Sequence, residues 1–171
     1  SLLSVDSISV SRISHPRDRL KIGDNIFTVV KTIDYENDRL FVSMKELLGT
    51  WNENAACFEV GQTVSGIIRS IESYGVFVEL APNLAGLAEL RDGTHDKEIA
   101  EVGSQVAVYI KSIIPDRMKI KLVLIDSYKG DMPVSGIKYF IDGEKTSHID
   151  SWRYSPEGSA KLVESIFSPA F

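Results

Sequence analysis

Residues 106–113, Val106-Ala107-Val108-Tyr109-Ile110-Lys111-Ser112-Ile113, form a β-branched and aromatic run shortly after Gly103. A run of this kind bounded by glycine reads as a strand. Residues 26–33, Ile26-Phe27-Thr28-Val29-Val30-Lys31-Thr32-Ile33, have the same character and follow Gly23 at a similar distance. The two runs stand 80 residues apart. The same offset relates Arg39-Leu40-Phe41-Val42 to Lys119-Ile120-Lys121-Leu122, Lys31 to Lys111, and His15 to His95. A constant offset held over such a span marks an internal repeat.

Outward from the second run, the remaining strands of one repeat can be read. Thr63 to Arg69 is a strand interrupted by Gly66, Tyr74 to Leu80 is another, and Gly86 to Leu90 follows the Pro82-Asn83 turn. A single-turn helix is expected near 95–100. Glycine inside a short strand marks a bend or a barrel corner. Five short strands over 59–126 therefore predict a small closed barrel. The first repeat is shorter. Leu2-Leu3 reads as the end of its second strand and the first strand is missing, so 1–43 is expected to be a truncated barrel whose open seam a neighbour covers. Residues 44–58 read as a helical linker, a turn at Ser43–Leu48 and then a helix to about Phe58. Its Thr50-Trp51-Asn52-Glu53 has the spacing of a capping box, and Trp51 and Phe58 are expected at the joint. In 127–171, Lys138–Ile141 and Thr146–Ile149 flank an Asp142-Gly143 turn and predict a hairpin. Ser155-Pro156 opens an expected helix with Leu162, Val163, Ile166 and Phe167 on its apolar face. The tail is thus expected to be a small ββα extension.

Composition narrows the function. The 171 residues carry 19 basic and 24 acidic side chains, a net charge of −5. Each of the three segments is slightly acidic, so no basic arm of the duplex-binding kind is present. No apolar run is long enough to span a bilayer. The lone Cys57 has no internal disulfide partner, which predicts a reducing, cytoplasmic setting. A chain that begins at Ser1 is expected to be a fragment or a processed product. His15, His95 and His148 have no ligand spacing, and no phosphate loop or nucleophile elbow is found. The expectation is a protein without catalysis, metal or cofactor. Asp34, Glu36 and Asp38 read as a solvated turn.

The informative exposed chemistry lies in Tyr74-Gly75-Val76-Phe77-Val78. Alternation alone puts positions 74 and 77 on opposite faces, and on composition Phe77 reads as core. A twist or bulge at Gly75 can re-aim the Tyr74 ring, which would let the two rings share one outer face. Beside Lys119 and Lys121 they would form stacking surfaces next to phosphate-binding charge, as in sequence-tolerant single-strand binders.

Residues 59–123 resemble the S1 domain, the OB-fold repeat of ribosomal protein S1. The matching residues are Val60-Gly61, Val64-Ser65-Gly66, Tyr74-Gly75-Val76-Phe77-Val78, Gly86-Leu87, Val102-Gly103 and Lys119-Ile120-Lys121-Leu122. The connector resembles the family's tandem-repeat linker through Ser43-Met44-Lys45, Trp51 and Phe58-Glu59-Val60-Gly61. Residues 1–43 match the back half of a repeat through Ser11-Arg12-Ile13-Ser14, Ile22-Gly23 and Arg39-Leu40-Phe41-Val42-Ser43. The resemblance implies a mainly β chain: a five-stranded antiparallel OB-fold barrel, preceded by a truncated repeat. It implies single-stranded RNA, mRNA included, as ligand, with Tyr74 and Phe77 stacking, Lys119 as the cation near the end of the barrel, and Arg39 as the cation of the first repeat. A family histidine falls on Glu89 and, in the first repeat, on Ser9; the family's acid before the cation falls on Pro115. Small-subunit ribosomal proteins are the implied protein partners. The alternatives are a module docking on the ribosome, or accessory domains of an RNA-processing enzyme.

Overall fold

The computed structural model describes residues 1–11, 13–91, 96, 100–127, 138–159 and 161–167. Ten strands run along them: β1 Leu2–Leu3, β2 Val29–Asp34, β3 Arg39–Ser43, β4 Thr63–Glu72, β5 Gly75–Ala81, β6 Leu84–Ala88, β7 Gln105–Ile114, β8 Lys119–Ser127, β9 Ser151–Arg153 and β10 Glu164–Ile166. Strands β4 to β8 close a barrel in the order β4-β5-β6-β8-β7. Alternation supplies its core: Ile68 of β4, Val76 and Val78 of β5, Val106, Val108 and Ile110 of β7, and Ile120, Leu122 and Leu124 of β8 all point inward and are buried. At Gly66 a Cβ would sit 2.4 Å from Val78 Cγ1, so the bend read from the sequence needs that glycine. The barrel is not antiparallel throughout: β6 and β8 pair in parallel, Leu87 with Lys121 and Ala88 with Leu122. An odd number of strands cannot close with every neighbour reversed, and this junction absorbs the mismatch.

The first repeat is a three-stranded sheet in the order β1-β3-β2. Its pairing repeats that of the barrel residue for residue. Val30 faces Val42 and Thr32 faces Phe41 across a bulge at Lys31, as Ile110 faces Leu122 and Ser112 faces Lys121 across a bulge at Lys111. Even the left-handed residues Asp38 and Met118 correspond. Parallel pairing of Leu2 with Phe41 and Leu3 with Val42 makes β1 the counterpart of β6. Leu2-Leu3 is therefore the counterpart of the third strand of the repeat and not the end of the second. Ser4, not Ser9, occupies the position of Glu89. Ser9 is instead buried. The seam is partly covered by the tail: Tyr139 packs edge-on against Phe27 at 5.4 Å, while Leu2, Val30 and Ile33 stay exposed.

The linker holds a 3-10 turn, Lys45–Leu48, and one short helix, α1, Trp51–Ala55. Both arms of the capping box form: Thr50 Oγ1 accepts from Glu53 N at 3.2 Å and Glu53 Oε1 from Thr50 N at 3.0 Å. The helix stops at Ala55, short of Phe58. Trp51 is buried in the barrel's core cluster and Phe58 packs partly against it.

Two polar knots join the pieces. Asn83 is fully buried; its Oδ1 accepts from Val10 N at 2.9 Å, and its Nδ2 donates to the carbonyls of Lys45 and Gly49, both at 2.8 Å. The buried carboxylate of Glu79 accepts from Arg19 of the first repeat and from Arg69 of β4.

The described part of the tail departs from the expected ββα unit. Residues 138–149 contain the Asp142 turn, with Thr146 N donating to Asp142 O at 2.9 Å, but no strands. Phe140 N donates to Leu47 O and the Tyr139 hydroxyl accepts from Phe27 N, so the first flank is held by other elements, while Ile149 of the second packs against the barrel's core cluster. Among the described residues of 155–167 no helix forms. Gly158 takes a left-handed φ of +82°, which breaks one, and the Ser155 hydroxyl accepts from Val163 N, closing a loop instead of capping a helix. The chain then returns as β10, antiparallel to β9. Trp152, Tyr154 and Phe167 join the barrel's core cluster. The Tyr154 hydroxyl donates to Asn83 O at 2.5 Å, and burial pushes that phenol's pKa well above the usual range. The turn of helix expected at 95–100 lies largely outside the described residues.

Candidate nucleic-acid interface

The outer face of the barrel is assembled by the alternation that fills its inside. Across β4, β5, β6, β8 and β7, one row of paired residues runs Ser70, Phe77, Leu87, Lys121, Ser112. Phe77 lies between the buried Val76 and Val78 and is itself half-buried, so it belongs to the outer face and not to the core. Tyr74 sits in the turn just before β5 and is 59% exposed. At Gly75 a Cβ would come within 2.5 Å of Ala88 O. That close approach sets the Tyr74 ring beside Phe77, with centroids 6.3 Å apart and planes at 88°. The glycine thus reconciles positions 74 and 77, as its place in the sequence suggests.

These rings open onto a cleft of about 500 Å³, lined also by Leu87, Glu89, Lys111, Met118, Lys119 and Lys121. The structure therefore brings together Tyr74, Phe77, Lys119, Lys121 and Glu89. Lys119 and Lys121 are exposed at alternate positions of β8. Glu89 is exposed and makes no ion pair or hydrogen bond among the described residues. Arg39 does not line this cleft. It opens β3 in the first repeat, across from Asp34. By the same register Lys119 faces Ile114, and Pro115 opens the 3-10 turn between the two strands. Asp34 is the register counterpart of Ile114 in the first repeat. Its carboxylate accepts from the Asn37 side chain and from the amides of Asn37 and Glu36, and these bonds hold its pKa below the ordinary value. The expected solvated turn is there.

Lys111 escaped the sequence reading. Ile110 points into the core, and the bulge after it leaves Lys111 as an extra residue before Ser112, so both point outward. The signal was available in the Lys31/Lys111 repeat, but a bulge is a property of pairing and not of local alternation. A second hollow of about 270 Å³, on the first repeat, is lined by Leu2, Ser4, Lys31, Thr32 and Phe41 among others. These residues are the register counterparts of Leu87, Glu89, Lys111, Ser112 and Lys121. Among the described residues no helix is long and apolar enough to cross a membrane, and no three His, Cys, Asp or Glu gather as metal ligands.

No family model matches the chain. It is 30% identical over 128 residues to the small ribosomal subunit protein bS1 of Chlamydia muridarum, covering 71% of this chain and 22% of that protein. To bS1 of Rhizobium meliloti it is 30% identical over 130 residues, 72% of this chain and 23% of that one. It is also 35% identical over 128 residues to a 4-hydroxy-3-methylbut-2-enyl diphosphate reductase of Clostridium acetobutylicum, of which it covers 20%. The chain spans about a fifth of the length of these relatives. The closed five-stranded barrel, the strand register repeated in the segment before it and this likeness in sequence lead to one assignment: the chain is ribosomal protein S1-like, a tandem of S1-type OB-fold repeats.

Proposed function

We propose that the chain binds single-stranded RNA on the β5–β6–β8 face of its barrel, as part of an S1-like factor acting in translation in the cytoplasm and without catalysis of its own. The observation that carries this reading is the Tyr74–Phe77 pair opening onto a cleft rimmed by Lys111, Lys119 and Lys121. Three ammonium groups against the single carboxylate of Glu89 make this cleft locally positive on a chain of charge −5. Aromatic rings beside cations are what a sequence-tolerant single-strand site requires. Small-subunit ribosomal proteins and mRNA are the partners this reading favours. The domain division it uses is 1–43 for the partial repeat, 44–58 for the linker, 59–126 for the barrel and 127–171 for the extension.

The reductase relatives support a second reading, in which the same repeats are appended to an enzyme; the RNA face is unchanged and only the parent chain differs. Fluorescence anisotropy with a labelled oligouridine tests the proposal. Affinity should fall steeply with salt, and Tyr74→Ala should weaken it by about 1–3 kcal/mol with little loss of stability. A folded protein that ignores RNA, or a folded Tyr74→Ala variant with unchanged affinity, overturns the assignment of this face.

A further inference from the structure

We infer that Glu89 makes the cleft selective for guanine, at a base seated on the Tyr74–Phe77 rings; the inference rests on the RNA-binding reading above. Glu89 directly follows Ala88, which pairs with Val76, so it leaves the sheet beside Tyr74 and Phe77 and lines the same cleft. None of the three lysines in that cleft is tied to it, and among the described residues nothing else donates to it. An ionised carboxylate only accepts hydrogen bonds. Next to a phosphate it repels, and that repulsion is offset here by Lys119, Lys121 and the bulge-borne Lys111. What remains for the carboxylate is the edge of a base splayed onto the rings, which is where single-stranded RNA is read. Guanine presents two donors side by side, N1–H and the 2-amino group, matching the two oxygens of a carboxylate. Adenine and cytosine present one amino group flanked by a ring nitrogen that accepts. Uracil presents one N–H between two carbonyls. Guanine alone engages Glu89 twice without opposing a lone pair to it.

The test is a set of anisotropy titrations of the whole chain with four short strands: oligouridine, and the same strand carrying one central guanine, inosine or adenine. The guanine strand should bind about five- to tenfold more tightly than the uridine and adenine strands, the low end for a bidentate pair. Inosine, which lacks the 2-amino group, should fall between. Glu89→Ala, at an exposed position where folding is verified by circular dichroism, should bring all four strands to similar affinity. Equal affinity of the parent protein for guanine and uridine strands overturns the inference and leaves the RNA reading intact, as does a guanine preference that survives Glu89→Ala. Silence toward all four strands overturns both.

Discussion

Asn83→Ala is the substitution that reports most directly on how the molecule is held together. The side chain is fully buried and makes three hydrogen bonds, one from Val10 N and two to the carbonyls of Lys45 and Gly49, all between 2.8 and 2.9 Å. Truncation leaves one N–H and two carbonyls without that partner. A buried polar group left unsatisfied costs about 1–3 kcal/mol. Water admitted to the vacated space recovers part of this, so the expected loss is about 3–5 kcal/mol, a large fraction of the roughly 5–15 kcal/mol of a typical domain. The bond from Tyr154 is untouched, because it goes to the Asn83 backbone carbonyl. Urea denaturation followed by circular dichroism and by Trp fluorescence measures the effect. The two tryptophans, Trp51 in the linker and Trp152 in the tail, both pack on the barrel core, so fluorescence and the far-ultraviolet signal of the strands should change together and the midpoint can be read as one free energy. Asn83→Asp keeps the acceptor for Val10 but sets oxygen against the two carbonyls, and should be no more stable than the alanine variant. A midpoint shift worth less than about 1 kcal/mol, the contribution of a single ordinary hydrogen bond, would refute the reasoning.

Three further outcomes are expected. Glu79→Ala removes the acceptor shared by Arg19 and Arg69 and should cost about 3 kcal/mol, since breaking a buried pair strands its cations; a loss below about 1 kcal/mol by the same denaturation would count against a role for this knot. Glu89→His should bind oligouridine several-fold more tightly at low salt and less so at high salt, because one phosphate repulsion on the order of 1 kcal/mol is removed and salt screens it. A flat response in anisotropy across the salt series contradicts this. Phe77→Ala should weaken RNA binding and also lower the melting temperature, as the half-buried ring serves both the cleft and the packing of the face; a loss of binding at unchanged stability would show that the ring's packing is negligible.

Much of this architecture was legible from residues alone, for reasons that differ by element. The barrel strands follow from period-two burial, as in Lys119-Ile120-Lys121-Leu122, where lysines face out and aliphatics face in. The capping box at Thr50–Glu53 is local chemistry and is found as read. The Tyr74–Phe77 pair needed one glycine to be weighed correctly. What escaped is what depends on partners far along the chain. Asn83 looks like any turn asparagine until Val10 and Gly49 surround it. The place of Leu2-Leu3 in the repeat depends on a parallel pairing to Phe41 and Val42 that no local pattern encodes. In the tail, the spacing of Leu162, Val163, Ile166 and Phe167 fits a helical face, yet Gly158 and the Ser155–Val163 bond dictate a loop and a strand. Local backbone conformation and that short-range bond overrode periodicity there.

The joint built by Asn83 and Glu79 also bears on how the two hollows would share one ligand. A flexible tether lets two sites wander, so that the second encounter is governed by the statistics of a random coil. Here the turn after β5 is fastened to Val10, Lys45 and Gly49 at once, and Arg19 is fastened to the barrel wall. The separation of the hollows is then a fixed length. If the second hollow takes nucleotides as the barrel face is proposed to, a strand that spans the distance would meet it at an effective concentration set by geometry, and a strand too short to span it would gain nothing. Affinity plotted against oligonucleotide length would rise as a step, with the position of the step measuring that separation like a ruler.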